Sequence, residues 1–428
     1  MPPSPLRPSA CPSLLRIVHA RDGGICRVKL AGGVLPAQQA EALADAAQRY
    51  SGGVLEATNR ANLQVRGIGA EAPALQQALL AAGLGSAHPA GDDVRNLMLS
   101  PLAGRCPAQA LDVRPLAAQL LRVLEGEPRY HGLSAKFAVQ LDGGEALACL
   151  DHPHDLWLTP LWWEGQWQFG LGLASSVAGG QCVAVLAPAQ ALAGLLAVLE
   201  RFLALAGTEQ SRMRQLLGAV GLEAFMAPLG LRRIAQPVPP RPTAAALGIH
   251  PQAEPGRVAV GAQFVLGRFR ASQLQALAGL ARRLGSGVLH FTPWQGLLLP
   301  DVAAPQAGEA QAALRELGLL TDPQAPLAAL VACSGSEGCA KAQADTKADA
   351  HHLATLLAPA RAVHLSGCPR ACAGAHGAPY TLLAVAPGRY DLFIRDAAHA
   401  GLGRLRAREL TLQAAATLLN GLPRSDTR

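Results

Sequence analysis

Four cysteines near the C-terminal end constrain this chain more than any other feature. They fall in two short stretches, Ala332-Cys333-Ser334-Gly335-Ser336-Glu337-Gly338-Cys339 and Ser366-Gly367-Cys368-Pro369-Arg370-Ala371-Cys372. The spacing is C-x₅-C, then 28 residues, then C-x₃-C. A cubane iron–sulfur cluster takes four thiolates, because each iron already carries three bridging sulfides and lacks one ligand. Small residues from Ser334 to Gly338 allow backbone N–H groups to turn toward the cluster sulfides, and such hydrogen bonds help set its potential. Zinc also takes four cysteines in a tetrahedron, although structural zinc favours tighter C-x₂₋₄-C spacing. Four ordinary cysteines packed as small hydrophobes are the third arrangement that the pattern allows.

The length of 428 residues allows roughly two to four domains with a sizeable core. Half of the residues are hydrophobic and only 16% are charged, which suits a compact enzyme and not a disordered chain. The longest apolar stretch, Leu192 to Ala206, is broken by Glu200 and Arg201 and has helical period, so it reads as a core helix and no membrane span is expected. Met1 to Ala10 is proline-rich without an apolar run, which argues against a secretory signal. Nine cysteines, four of them in one cofactor motif, fit a reducing cytoplasm better than a disulfide framework. The net charge of +7 is dispersed and aromatics are only 4%, a poor match to a nucleic-acid surface. Single arginines converging on a small polyanion fit this composition better.

Along the chain, a strand from Ile25 to Leu30 is expected, then a helix from Ala37 to Tyr50 with Ala40, Leu43, Ala44 and Ala47 on one face. Two strands, Val54 to Thr58 and Leu63 to Arg66, follow the Gly52-Gly53 stop. The same design returns 234 residues later (271 − 37): Leu274, Leu277, Ala278 and Ala281 match the helix face, and Gly287, Thr292 and Leu297 match Gly53, Thr58 and Leu63. Matching positions in one register point to duplication. The expected organisation is a lead-in and first half-repeat over 1–88, an α/β domain over 89–234, and a proline-rich linker over 235–247. A second half-repeat over 248–304 and a second α/β domain with the cysteines over 305–428 complete it. Within these, helices are expected over 210–225, 306–317 and 340–357, and a strand over 136–141. Gly67-Ile-Gly69-Ala-Glu-Ala72 imitates a dinucleotide fingerprint, but it closes a hairpin and opens no βαβ unit. His152 and His154 beside Asp151 and Asp155 read as a polar turn in preference to a metal pocket.

C-x₅-C followed by S-G-C-P-x-x-C resembles the cluster motif of the sulfite and nitrite reductase superfamily. The resemblance extends from about Arg16 to Ile394. Arg27-Val-Lys29-Leu-Ala-Gly-Gly33 resembles the family's first basic strand, and Thr58-Asn-Arg60-Ala-Asn-Leu-Gln64-Val-Arg66 its T-x-R-x-x-x-Q-x-R hairpin. Arg95-Asn96, ahead of Ser100-Pro101, resembles a third contact segment, and Ala135-Lys136-Phe137 a fourth. The implied fold is α+β, with duplicated ferredoxin-like half-repeats in a joint domain and two flanking α/β domains. The implied cluster ligands are Cys333, Cys339, Cys368 and Cys372, the last nearest the reacting centre. The implied tetrapyrrole contacts are Arg27, Lys29, Thr58, Arg60, Gln64, Arg66, Arg95, Asn96 and Lys136, lining one cleft, with Lys136 also in a catalytic role. Guanidinium forks and ammonium groups suit a macrocycle edged with carboxylates.

The chain departs from the reductases in one telling place. Those enzymes carry a second lysine two residues after the one matched by Lys136, and here that position is Ala138. Together with Arg7-Pro8-Ser-Ala-Cys11-Pro12 and Asp22-Gly23, this resembles the precorrin-3B synthases, a family in which the tetrapyrrole is substrate and not sirohaem cofactor. That resemblance implies oxygen-dependent conversion of precorrin-3A in aerobic cobalamin biosynthesis, by a cytoplasmic enzyme. A 4Fe–4S cluster, a mononuclear non-haem iron, dioxygen and an electron donor of unspecified identity are implied with it. A small sirohaem-dependent sulfite or nitrite reductase is the alternative, and a non-catalytic tetrapyrrole or iron–sulfur carrier a third.

Overall fold

A computed structural model describes residues 11–86, 88–374, 378–396, 398–399 and 401–422. The first ten residues, with Arg7 and Pro8 of the opening motif, lie outside them. The duplication is realised in three dimensions. The helix Ala37–Ser51 and its counterpart Ala271–Leu284 pack against each other in one apolar core, each through the face read from its periodicity. Burying a leucine such as Leu43 or Leu277 contributes roughly 1.5–3 kcal/mol, so this central pair anchors the two repeats together.

Each repeat forms a five-stranded antiparallel sheet that borrows an edge strand from the other. The first sheet runs Val18–Ala20, Gly23–Val28, Leu63–Ile68, Val54–Ala57 and then Arg268–Arg270 from the second repeat. The second runs Gly248–Pro251, Arg257–Gln263, Gly296–Ala303, Val288–Phe291 and then Val34–Pro36 from the first. Tight glycine turns precede the exchanged strands. Gly33 and Gly267 have φ of 77° and 74°, and a Cβ on Gly33 would stand 2.3 Å from the carbonyl oxygen of Phe291. The loop with the dinucleotide-like glycines does lead into a helix, Ala72–Ala81, but Leu63–Ile68 is antiparallel to both neighbours, so no βαβ crossover exists.

The α/β domains are also duplicates. In the first, Leu97–Leu99, Val139–Leu141 and Leu156–Trp163 are successive parallel neighbours, and Gln166–Leu173 and Gln181–Leu186 follow antiparallel. In the second, Leu330–Ala332, Val363–Ser366 and Tyr380–Ala386 are parallel, and Arg389–Ile394 and Arg404–Leu410 antiparallel. The helix Ala191–Leu205 is long and apolar enough to cross a membrane with its preceding turn, yet Leu195, Val198, Leu199 and Phe202 pack into the core of the first α/β domain.

Several boundaries differ from expectation. The first basic strand ends at Val28, which leaves Lys29 beyond it. The strand expected over 136–141 is only Val139–Leu141, and Lys136 stands in the turn before it. The helix expected over 210–225 breaks at Gly221, whose φ of 79° and ψ of 150° suit no helix, into Met213–Val220 and Leu222–Met226. The helix after the first cysteine pair starts only at Thr346, capped by Asp345. Arg232–Pro237 adds a sixth strand to the first α/β sheet instead of opening a linker. The helix Ala307–Glu316 packs into the joint core through Ala307, Ala310 and Leu314, so the second repeat extends past residue 304.

Candidate functional site

The cysteines sit where the parallel strands of the second α/β domain end. Leu330–Ala332 delivers Cys333, and its neighbour Val363–Ser366 delivers Cys368. A single helical turn, Gly335–Gly338, carries the chain on to Cys339. The Gly367 N–H donates to Cys333 Sγ at 3.2 Å, and Thr346 Oγ1 lies 3.4 Å from the same sulfur. Burial first, then Cys368, Cys333 and Cys339, raises the Cys372 thiol, so the four sulfurs share one locality. Among the described residues no three Cys, His, Asp or Glu side chains close around a single ion, so the zinc arrangement is not formed. Four thiols in one locality, with a backbone N–H already on one sulfur, fit a four-iron cluster.

The small residues between Cys333 and Cys339 act differently from expectation. Ser336 N–H donates to the Ala344 carbonyl and Cys339 N–H to that of Gly335, so these donors are already bonded. The glycines allow close approach instead. A Cβ on Gly338 would stand 2.8 Å from Arg66 Nη2, and one on Gly335 2.8 Å from the Thr346 nitrogen.

A buried charge network docks this loop onto the joint domain. Arg66 donates to Asp22 at 2.8 and 2.9 Å and to the Gly338 carbonyl at 3.0 Å, and it lies 3.5 Å from Glu56. Glu56 also accepts from Ser334 Oγ at 3.1 Å and Arg268 Nε at 3.0 Å, with Lys347 Nζ 3.7 Å away. Burial raises the Glu56 carboxyl, but Lys347, Arg66 and Arg268 outweigh it and hold the group below its ordinary value. One carboxylate thus joins both repeats to the cysteine-bearing domain. Sequence reading missed Asp22, Glu56, Arg268, Ser334 and Lys347 as partners. The signal for Glu56 was a charged residue inside the apolar strand Val54–Ala57, but its partners lie hundreds of residues away.

Of the expected tetrapyrrole contacts, two stand ready. Neither the Arg27 nor the Arg60 guanidinium has a hydrogen-bonded or ion-paired partner among the described residues, and Arg27 Nε is buried. Burial, then Arg212 and Arg27, pushes Arg60 down to about 10. Burial also lowers Arg27, while the Cys11 and Cys372 thiols act on it in the opposite direction, which places Arg27 within electrostatic reach of the cysteine site. Arg60 lines a small cavity with Asn62, Asn96, Leu97, Met98, Ala138 and His154. His154 Nδ1 donates to the His152 carbonyl at 2.8 Å, and its buried Nε2 has no partner, so the cavity offers one bare acceptor beside a free guanidinium.

The remaining expected contacts are engaged elsewhere. Lys29 Nζ is buried and donates to the carbonyls of Asp92 and Asp93 at 2.9 and 2.8 Å. Arg95 pairs with Glu125, and Asn96 Nδ2 donates to the Asp93, Ala135 and Phe137 carbonyls. Gln64 Oε1 accepts from Arg66, and Thr58 Oγ1 accepts from the Arg60 and Asn62 nitrogens, which shapes the turn. Lys136 is exposed. The single cleft expected for all these cations is therefore reduced to Arg27 and Arg60, with Arg66 behind the cysteine loop. Asp155 accepts from Ala138 N, Met213 N and Arg212, a clasp between loops and not a metal site.

Two family models match the chain. One, described as the nitrite/sulfite reductase ferredoxin-like half domain, matches residues 19–82 and again 250–317. The other, described as the nitrite and sulphite reductase 4Fe-4S domain, matches residues 90–235, the copy without the four cysteines. Similar proteins include a chloroplastic ferredoxin–nitrite reductase of Zea mays, 31% identical over 81% of this chain and 67% of its own length. A precorrin-3B synthase of a Sinorhizobium species is 29% identical over 92% of this chain and 84% of its own length. A ferredoxin-linked sulfite reductase of Mycolicibacterium paratuberculosis is 27% identical over 81% of this chain. Among solved structures, the NirA protein of Mycobacterium tuberculosis shares the fold with a TM-score of 0.77 at 22% identity, covering 93% of this chain and 79% of that one.

Proposed function

The chain belongs to the nitrite and sulfite reductase family, and from that premise we propose that it is an oxygen-dependent monooxygenase converting precorrin-3A to precorrin-3B. The reaction hydroxylates the meso carbon between rings A and D and closes a lactone with the ring A acetate. One atom of dioxygen enters the product, and the other leaves as water with two electrons and two protons supplied through a donor. The observation that carries this reading is Ala138. Where the resembling reductases hold a second lysine for an oxyanion, this chain has a methyl group beside a cavity. The fuller two-way coverage of the precorrin-3B synthase relative supports the same branch.

In this reading Cys333, Cys339, Cys368 and Cys372 hold a 4Fe–4S cluster, which supplies single electrons. Arg27 and Arg60 receive carboxylates of the macrocycle, and their unpaired state favours doing so in a low-dielectric cleft. The bare His154 Nε2 accepts a hydrogen bond from a ligand O–H or N–H and repels an oxyanion. Lys136, exposed at the cleft's turn, meets a further substrate carboxylate. No group of described residues fits the mononuclear iron that the resemblance implies, so no step is assigned to it. The location proposed is the cytoplasm.

A sirohaem-dependent nitrite or sulfite reductase is the second reading, favoured by the 31% identity to the maize enzyme. The test is the reconstituted protein, supplied with an artificial electron donor and offered precorrin-3A with dioxygen, nitrite and sulfite in separate assays. Oxygen-dependent loss of precorrin-3A without ammonia or sulfide production is expected. Rapid ammonia or sulfide production, with sirohaem bands in the purified protein, would overturn the assignment.

A further inference from the structure

The two α/β domains can be superposed strand by strand, and one position stands out. In the first, Gln140 lies between Met98 and Trp157 in the parallel ladder; in the second, His364 lies between Val331 and Thr381. Gln140 and His364 are therefore the same position of the same central strand. Gln140 is buried, and its Nε2 donates to the Cys149 carbonyl at 2.8 Å, tying down the loop after its strand. Counted from that strand, Cys149 corresponds to Ala373. The loop that holds Ala373 is the one that carries Cys368 and Cys372.

His364 is fully buried, yet neither ring nitrogen has a hydrogen-bond partner. Burial alone lowers it to about 4, so the ring is neutral, with one N–H to give and one lone pair to fill. Buried polar groups left unpaired are rare and costly, and a ring with two such atoms calls for a reason. The cysteine loop lies directly on the ring. A Cβ on Gly374 would stand 3.0 to 3.3 Å from Cγ, Cδ2 and Nδ1 of His364, so only glycine permits that approach.

We propose that His364 is a positioning residue for the cluster: in the cluster-bound protein its ring N–H donates to the backbone carbonyl at Ala373, as Gln140 does to Cys149, and fixes the loop that presents Cys368 and Cys372. The proposal rests on the four cysteines holding a cluster and is independent of the substrate. Partners of this kind behind metal ligands typically change metal affinity by about 10- to 100-fold when removed.

The test compares the full-length wild type with His364→Leu, His364→Gln and His364→Asn after anaerobic purification. Iron and sulfide per chain, retention under a chelator and the electron paramagnetic resonance spectrum of the reduced cluster are recorded. His364→Gln and His364→Asn put an N–H near Nε2 and Nδ1 respectively. His364→Leu is expected to lose its cluster about tenfold faster with an altered spectrum, and one of the two amides to restore both. Wild-type retention and spectrum in His364→Leu would overturn the proposal. If His364→Leu does not fold, failure of both amides to match the wild type would overturn it equally. A wild type without iron and sulfide would instead sink the cluster assignment itself.

Discussion

The buried pair Arg66 and Glu56 should behave as one unit, and a double-mutant cycle measures this. Both side chains are almost fully buried, at 3% and 11% exposure. Arg66→Met removes a cation from Asp22, Glu56 and the Gly338 carbonyl. Breaking a buried pair from one side typically costs about 3–5 kcal/mol. The lower end, about 3 kcal/mol, is expected here, because Glu56 keeps Arg268 and Lys347 and the more exposed Asp22 can turn to water. Glu56→Gln is the harsher change: it leaves Arg66, Arg268 and Lys347 without their shared carboxylate, and about 4–5 kcal/mol is expected. The double variant should cost at least about 1 kcal/mol less than the sum, since contacting residues of one network couple by roughly 0.5–3 kcal/mol. The assay is urea unfolding of the four proteins followed by circular dichroism, with iron content measured in parallel. Costs that add to within about 0.5 kcal/mol would refute the shared network, and so would an Arg66→Met protein as stable as the wild type.

Cys339→Ser combined with Cys368→Ser should abolish iron and sulfide binding, whereas Cys11, Cys26, Cys106, Cys149 and Cys182 should be dispensable for it; colorimetric iron and sulfide assays on each variant decide. Acid should loosen the contact between the second repeat and the first α/β domain, where His290 Nδ1 donates to the Pro101 carbonyl at 2.9 Å and Arg105 pairs with Asp301. Burial, then Arg105, lowers His290 to about 4, so its contribution is fully present above its ordinary value near 6.5 and lost as pH falls from there through about 4. His290→Gln should therefore flatten that limb of the stability curve by about one proton, as read from urea midpoints at several pH values between 4 and 7.5.

Much of the fold was legible because the residues that specify it are periodic and local. The helix face of Ala40, Leu43, Ala44 and Ala47, its copy 234 residues on (271 − 37), and the glycine stops between elements all follow from side-chain spacing. The strand exchange was not legible. Val34–Pro36 and Arg268–Arg270 are too short to carry an alternating pattern, and their pairing is decided by the partner repeat. At the site, the cysteines were readable from spacing because ligands of one cluster come in tight pairs. The basic residues were harder. Arg27 and Arg60 differ from Lys29, Arg66 and Arg95 only in whether a carboxylate or carbonyl lies within reach, and those partners come from distant segments such as Asp92, Glu125 and Gly338. A motif locates a cation, but only tertiary contacts decide whether it is free to hold a ligand.

The duplication explains why one copy of the scaffold holds four thiols and the other a packed core. Counted from the preceding strands, Cys106 stands at the position of Cys339, but Ser100, Gly144 and Ala148 stand where Cys333, Cys368 and Cys372 would be. One thiol cannot hold a cubane, and the corresponding space is filled. Leu102, Cys106 and Leu147 from the two loops pack with Ala259 and Leu298 of the second sheet in a small apolar cluster. The docking chemistry diverges in parallel. Glu56, which accepts from Ser334 in the cysteine copy, is matched by His290, which donates to the Pro101 carbonyl in the other. A charged network on the cysteine side places Arg66 and Lys347 within electrostatic reach of the Cys339 and Cys333 sulfurs, where their positive charge favours the thiolates and the more negative, reduced cluster. On the other side a neutral histidine and an apolar plug suffice, because no charge has to be held there. The two halves share a backbone, and the electrostatic demand of a cluster on one side accounts for where their side chains part.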